Sequence, residues 1–329
     1  MTTLKSVFVL ADSDMKNTRA LRRGIALAKA SGARLMIGMI VHDPRIDAVG
    51  LDLRVMHLAQ RSYLNDRREW LEERRIQAKL SPAQITTRVI WSPGGVEAFL
   101  EMVRDCSADL VIKDASCGDA VLPSLLTPLD WKLLRLCPVP MMLLSKNGPL
   151  LPHRITAAVD TASDPDGLNQ DIIRSAQSMT GIVGAELHLA SAFPSLQGTS
   201  RVYPMVEQAL RDAELKHNQT LEALRAQSGI ETTHCRSLRG DTLQTLRRFL
   251  KAEKMDMVVV GSIYRRGFER LLLGSTAESL LLQAPCDVLL VKGGQRTERT
   301  RTSDSVQQQA SHKQGRSHAE ESACHHRQP

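Results

Sequence analysis

The chain has 329 residues, enough for two ordinary domains, and 42% of its residues are hydrophobic. Aromatic residues make up only 3%, so the cores must be aliphatic and stacking platforms for single-stranded nucleic acid are not expected. The net charge of +7 does not indicate nucleic-acid binding either, because the arginine pairs alternate with acidic and apolar residues as on solvated helix faces. Those pairs are Arg22-Arg23, Arg67-Arg68, Arg74-Arg75 and Arg247-Arg248.

The apolar runs are short, which favours a cytoplasmic protein without a membrane span. None approaches the roughly 18–20 residues that a transmembrane helix needs, and Asp12 ends the first run too early for a signal peptide. No two cysteines form a CxxC pair or have the spacing of a zinc finger, so we interpret them as reduced structural thiols. They are Cys106, Cys117, Cys137, Cys235, Cys286 and Cys324.

The first half of the chain alternates short apolar strands with amphipathic helices. This alternation predicts a parallel sheet with right-handed crossovers, and Gly32 is expected to end the first helix. The predicted strands cover residues 7–11, 34–41, 86–91, 110–113 and 139–144, and the predicted helices 18–31, 53–79, 96–106 and 129–136.

The second half repeats this order, with its first helix expected to stop near Gly181. The predicted strands cover residues 154–159, 185–193, 231–237, 257–261 and 286–292, and the predicted helices 168–179, 206–227, 243–254 and 276–283. Five strands alternating with four helices, twice, predict an α/β protein made of two tandem doubly wound, five-stranded, Rossmann-like domains.

An internal repeat supports this division. Residues 109–144 recur as residues 256–291 without a gap at an offset of 147, with eight identities. We therefore expect repeat 1 at residues 1–146, a linker at 147–152, repeat 2 at 153–292 and a polar, disordered tail at 293–329. The tail ends in Cys324-His325-His326, a cluster that suits metal binding as well as a solvated tail, and we predict no metal site.

Ligands of an open parallel sheet bind beyond the carboxyl ends of its strands, and repeat 2 carries suitable residues there. Glycines at both ends of the loop after the fourth strand, followed by hydroxyl residues at a helix start, suit a phosphate group. A helix cap with a tight turn explains the same residues. The candidate ligand-binding residues are Asp160, Gly261, Ser262, Gly274, Ser275 and Thr276.

The loop resembles that of the universal stress protein family, whose ATP-binding members carry G-x2-G-x9-G-[S/T]. Gly261 and Gly274-Ser275 fit this spacing, whereas Tyr264 replaces the second glycine, and Gly267 offers an alternative turn. A tyrosine is bulky there and costs roughly 1–2 kcal/mol if the position is left-handed. The resemblance implies that Asp160 contacts adenine, although a helix-capping role fits both it and its counterpart Asp12.

Repeat 1 departs further from the motif. Asp114 and Cys117 replace the first two motif positions, and Thr127-Pro128 replace Gly274-Ser275. Asp114 repels a phosphate and Pro128 has no N–H to offer it, so we expect no nucleotide in repeat 1. The run from Thr127 to Pro138, TPLDWKLLRLCP, resembles the first repeat of tandem bacterial members of the family.

No catalytic signature is visible: no Ser-His-Asp order, HExxH or Walker loop occurs, and we interpret His42 and His188 as local structural residues. The resemblance implies a non-enzymatic stress-response module that binds a small ligand and supports survival under stress, including DNA damage. The alternative is a switch that binds ATP in repeat 2 and hydrolyses it slowly.

The resemblance also implies an intramolecular pseudo-dimer, with residues 141–144 and 288–291 as antiparallel neighbours. That pairing would cover two sheet edges. The sequence names no protein partner, and the exposed helix faces suit further association of two molecules.

Overall fold

The structure is a computed structural model that describes residues 4–47, 52–115, 126–194, 204–262 and 274–293. In the first half, the strands are β1 (Ser6–Leu10), β2 (Arg34–Val41), β3 (Ile85–Trp91), β4 (Leu110–Asp114) and β5 (Met141–Leu144). The helices there are α1 (Arg19–Ser31), α2 (Pro44–Asp47), α3 (Leu53–Gln77), α4 (Val96–Asp105) and α5 (Pro128–Leu136).

The second half repeats the alternation. Its strands are β6 (Arg154–Ala158), β7 (Glu186–Phe193), β8 (Cys235–Arg239), β9 (Met257–Ser262) and β10 (Asp287–Lys292). Its helices are α6 (Leu168–Val183), α7 (Pro204–Ser228), α8 (Thr242–Ala252) and α9 (Ser275–Gln283), with short 3-10 turns at Pro165–Gly167 and Thr232–His234. The predicted disordered tail lies outside the described residues, apart from Gly293.

Two predicted boundaries in the second half are wrong. Helix α6 continues through Gly181 and ends at Gly184, which has a left-handed φ of 70°. A glycine inside a helix costs only about 0.5–1 kcal/mol, and the following Ile182 and Val183 pack against the core. Strand β8 begins at Cys235, four residues later than predicted, because the 3-10 turn at Thr232–His234 precedes it.

The strands of the two halves join into one ten-stranded sheet in the order β3-β2-β1-β4-β5-β10-β9-β6-β7-β8. Within each half, all paired strands are parallel. At the centre, β5 and β10 are antiparallel, with Met142 opposite Leu289. The predicted pairing of the two final strands is therefore confirmed, and it removes an edge from each five-stranded unit.

Helices cover both faces of this sheet, which explains why its central strands are almost continuously apolar. All of β1 and β5 is buried, and β10 is buried along its whole length. Each of the two core layers contains residues from both halves: Ile37 and Ile173 belong to one, and Phe99 and Phe249 to the other. Both core layers therefore extend across the two halves.

A buried ionic cluster joins the halves beside the central strands. The Asp287 carboxylate accepts hydrogen bonds from Arg19 at 2.7 and 2.8 Å and from Arg23 at 2.8 Å. The side chains of Arg23 and Asp287 are each 1% exposed. The interpretation of Arg22-Arg23 as a solvated pair is thus wrong for Arg23, since only Arg22 is exposed.

The same arginines hold the linker in place. Arg19 and Arg23 each donate to the carbonyl of Pro149, at 3.0 and 2.9 Å, and Arg23 also donates to the carbonyl of Leu150. Ser145 closes the cluster, with its backbone N–H donating to Asp287 at 3.0 Å. The linker therefore occupies the groove between α1 and the start of β10.

The pseudo-symmetric groove, beside α6 and the start of β5, is not filled by the linker. Arg23 and Ser175 are equivalent positions, because each lies nine residues before the glycine that ends its helix, Gly32 in α1 and Gly184 in α6. Pro140 corresponds to Asp287 at the repeat offset of 147. This groove contains a cavity of about 200 Å³, lined in part by Pro140, Ser175 and Leu289. One linker connects two halves, so it can fill only one of two equivalent grooves.

Among the described helices, none combines the length and the apolar character that crossing a membrane requires.

Candidate functional site

The candidate residues of repeat 2 meet at one edge of the sheet because β6 and β9 are parallel neighbours. Asp160 follows β6 and is exposed, and its carboxylate accepts the backbone N–H groups of Ala162 at 2.9 Å and Ser163 at 3.3 Å. Buried Asn169 fixes the Asp160 backbone, exchanging hydrogen bonds with its N–H and C=O at 3.0 and 2.8 Å. Asp160 is therefore held in a defined turn at the rim of this edge.

Gly261, near the end of β9, makes room for the first residue of α6. A Cβ atom added to Gly261 would lie 2.7 Å from three side-chain carbons of Leu168. Gly293 has the same neighbour, at 3.1 Å from its added Cβ atom. This packing gives Gly261 a structural role that the sequence motif alone does not reveal, and it places an apolar side chain at the rim.

Ser262 does not present its side chain to this edge. The residue is fully buried, and its hydroxyl donates to the carbonyl of Val291 on the neighbouring strand at 3.3 Å. Its backbone carbonyl accepts the N–H of Gly293 at 3.1 Å. The Ser262 hydroxyl therefore bonds within the sheet and does not face the candidate site.

Helix α9 starts at the same edge without a side-chain cap. Gly274 is its exposed N-cap residue, Ser275 is its first residue, and Thr276 is half-buried. A helix start has N–H groups without intrahelical acceptors and a partial positive charge, which together favour an anion. Tyr264 and Gly267 lie outside the described residues.

Repeat 1 fills the corresponding edge with its own carboxylates. Asp114, at the position of Gly261, accepts the N–H of Ala20 in the first turn of α1 at 3.0 and 3.2 Å. Burial raises the pKa of the Asp114 carboxyl above its usual value. Asp12 makes the same kind of local turn as Asp160, accepting the N–H of Asp14 at 2.8 Å.

The helix start in repeat 1 is capped as well. Thr127 and Asp130 form a capping box on α5, in which the Asp130 carboxylate accepts the Thr127 N–H at 2.9 Å. Lys113 on β4 lies 2.7 Å from the other oxygen of Asp130, which is completely buried. Pro128 occupies the first helical position and has no N–H. An internal acid therefore caps this helix start in repeat 1. In repeat 2 the N-cap residue Gly274 makes no such cap, and the first-turn acid Glu278 pairs with Arg135 instead.

The structure adds a histidine that the sequence analysis missed. His217 of α7 is 6% exposed, and its Nδ1 lies 2.5 Å from the hydroxyl of Thr161, the residue after Asp160. Its Nε2 lies 3.1 Å from the hydroxyl of Ser237 on β8. Burial lowers the pKa of His217. No local motif marks this residue, because α7, β8 and the turn after β6 are far apart in sequence.

Two doubly wound α/β repeats, joined by the antiparallel pairing of their last strands, define a class of tandem α/β proteins. The model of the universal stress protein family matches residues 4–145 and 152–292. The chain belongs to this family.

Relatives extend over nearly the whole chain. Universal stress protein E of Escherichia coli K12 is 26% identical over 306 residues, which cover 90% of this chain and 96% of that protein. A functionally unknown Pseudomonas aeruginosa PAO1 protein has a similar fold, with a TM-score of 0.68 at 24% identity over 88% of this chain and 93% of that one. A universal stress protein from Archaeoglobus fulgidus gives a TM-score of 0.62 at 15% identity, covering 89% of this chain and all of that one.

Proposed function

We propose that this protein is a cytoplasmic, non-enzymatic stress-response module that binds a small ligand in repeat 2 and supports survival under stress, including DNA damage. The ligand is a phosphate-bearing molecule, with a nucleotide as the leading candidate. Its site comprises Asp160, Gly261, Gly274, Ser275 and Thr276, while Ser262 supports β9 from within. Repeat 1 serves as the structural partner and binds no nucleotide.

One contrast between the repeats carries this proposal. In repeat 1, Asp130 caps α5 and Asp114 caps α1, so internal carboxylates already satisfy both helix starts. In repeat 2, the Asp164 carboxylate accepts the N–H of Asn169 at the start of α6 at 2.8 Å, whereas Gly274 provides no side-chain cap to α9. The start of α9, where no side chain of the N-cap residue accepts a backbone N–H and Glu278 pairs with Arg135, is an environment that favours a phosphate.

Calorimetric titration with Mg-ATP tests the proposal with matched variants in the two repeats. Asp160→Ala is expected to weaken binding at least tenfold, whereas Asp12→Ala, the same change at the counterpart position, leaves it unchanged. Equal effects of the two variants, or none from either, would contradict a site confined to repeat 2. Circular dichroism of each variant checks that the fold is retained.

The ATP-hydrolysing switch is the second candidate, because Gly261 and Gly274-Ser275 keep the family spacing. Titration of the wild type and of Tyr264→Gly separates the two. Tight Mg-ATP binding and slow phosphate release by the wild type favour the switch. Binding only after the substitution indicates a lapsed nucleotide site, and mass spectrometry of small molecules that co-purify with the wild type then identifies the class of ligand.

A further inference from the structure

Three metal-ligating side chains converge at the amino-terminal edge of the sheet in repeat 2. Glu186 and His188 are alternate residues of β7, so they point to the same face. His234 belongs to the 3-10 turn that leads into β8, and the β7–β8 register places it beside His188, since Leu189 pairs with Cys235. Sequence analysis missed this group because His234 lies 46 residues after His188 and no spacing motif connects the two.

The donor atoms are close enough to share one ion. One carboxylate oxygen of Glu186 and one ring nitrogen from each histidine all lie within 4.8 Å of one another. The Glu186 Oε2 to His188 Nε2 distance is 3.7 Å, and the imidazole centroids are 4.5 Å apart. Tetrahedral zinc, with bonds of about 2.0–2.2 Å, separates its donors by roughly 3.3 Å. Small side-chain rotations therefore bring the three groups into coordinating geometry.

His188 gives an independent indication that a ligand belongs there. Its side chain is 10% exposed, and its Nε2 is buried without a hydrogen-bond partner. Buried polar atoms in folded proteins nearly always have a partner, so such an atom requires an explanation.

Arg154 is the one described cation within ion-pairing distance of the Glu186 carboxylate other than His188, and it does not block the site. Its Nε lies 3.3 Å from Glu186 Oε2, with the two side chains 45% and 54% exposed. Such an exposed pair stabilises the fold by at most about 1 kcal/mol. Arg154 also donates to the carbonyl of Glu253 at 3.0 Å, a bond that does not depend on Glu186.

We propose that Glu186, His188 and His234 form a site for a divalent transition metal, zinc above all, with water as the fourth ligand. Two imidazoles and one carboxylate are a donor set that Zn²⁺ accepts. The site lies at the opposite end of the strands from the candidate nucleotide site and is independent of it. Metal bound there connects β7 to β8, the strand at the outer edge of the sheet.

The test is titration of the untagged full chain with Co²⁺, whose visible absorption reports tetrahedral coordination. Since Cys324, His325 and His326 of the tail are also potential ligands, all measurements use a background with Cys324→Ser, His325→Ala and His326→Ala. One Co²⁺ per chain is expected, displaced by Zn²⁺. His188→Ala and His234→Ala should each weaken binding at least tenfold, and the exposed His57→Ala should have no effect.

Imidazole nitrogen NMR provides a readout that a purely structural histidine would not change. Addition of Zn²⁺ should shift the ring-nitrogen resonances of His188 and His234, with the His57 resonances unchanged. Unchanged Co²⁺ affinity in His188→Ala and His234→Ala overturns the proposal, as does loss of all binding in the tail background. Near-wild-type thermal unfolding of the metal-free variants shows that a loss of affinity does not reflect misfolding.

Discussion

Arg23 in helix α1 of repeat 1 donates to Asp287 at the start of β10 in repeat 2 at 2.8 Å, and both side chains are 1% exposed. The bond therefore joins the two halves inside the protein and not at its surface. Arg19 and the Ser145 backbone complete the coordination of the same carboxylate. Asp287 thus ties the first helix and the last residues of repeat 1 to β10, the last strand of repeat 2.

Asp287→Asn should destabilise the protein by about 3–5 kcal/mol, because it leaves two buried guanidinium groups without a countercharge. Urea unfolding at pH 7 measures the change. The matched control is Glu278→Gln, which removes another contact between the halves, the pair with Arg135 at 3.3 Å. Those side chains are 39% and 46% exposed, so the loss there should stay below about 1 kcal/mol. Similar losses in the two variants would contradict the central role of Asp287.

Gly261→Ala should destabilise the fold by about 1–3 kcal/mol, because the new methyl group meets Leu168 at 2.7 Å. Combining it with Leu168→Ala should cost less than the sum of the two single changes, by about 1 kcal/mol in a double-mutant cycle. Gly181→Ala is the control: no atom lies within 4 Å of the added Cβ, so this helical position should gain about 0.5–1 kcal/mol. Additive effects at Gly261 and Leu168 would rule out the steric explanation.

Lys292 should make the stability depend on pH in the alkaline range. Burial lowers the pKa of its ammonium group, which donates to the carbonyl of Leu134, from 10.5 to about 8. Between these values the unfolded chain binds more protons than the folded chain, so the free energy of unfolding should rise with pH, by up to about 1.4 kcal/mol per unit. Lys292→Met should lack this rise, and parallel profiles for both proteins would disprove the assignment.

His217→Phe should cost about 1 kcal/mol at pH 7.5, since it leaves the Thr161 hydroxyl without its partner. Ser237→Ala, which removes an exposed hydroxyl from the other side of the ring, should cost less than about 0.5 kcal/mol. Burial lowers the pKa of His217 below 6.5. The unfolded chain therefore takes up a proton first as the pH falls, and the wild type should lose stability below pH 6.5 relative to the phenylalanine variant.

The order of the elements was predictable because local patterns determine it. Apolar runs identified the strands, and Gly32 and Gly229 marked helix ends where a left-handed residue follows. The boundary at Gly181 failed because two competing glycines lie three residues apart, and the packing of Ile182 and Val183 selects the later one. The predicted start of β8 was four residues too early because a 3-10 turn precedes this edge strand.

The candidate site was predictable only in part. The sequence placed Asp160 and Gly274 at the same edge of the sheet, as they lie in the structure, because strand ends follow from the alternation of elements. It did not reveal that Ser262 faces the interior or that Leu168 fills the space beside Gly261. Arg23 and His217 were missed because their burial depends on partners more than 50 residues away or in the other repeat, contacts that no local pattern records.

The linker in its groove shows what covalent fusion permits. In a homodimer, both sides of a two-fold interface carry the same residues, so an acid at the position of Asp287 would appear twice. Here the second position is Pro140, and the arginine at the position of Arg23 becomes Ser175. When the two halves form one polypeptide, the two sides of the interface need not be identical. Each half can then change its sequence independently while the other half keeps the residues that hold them together.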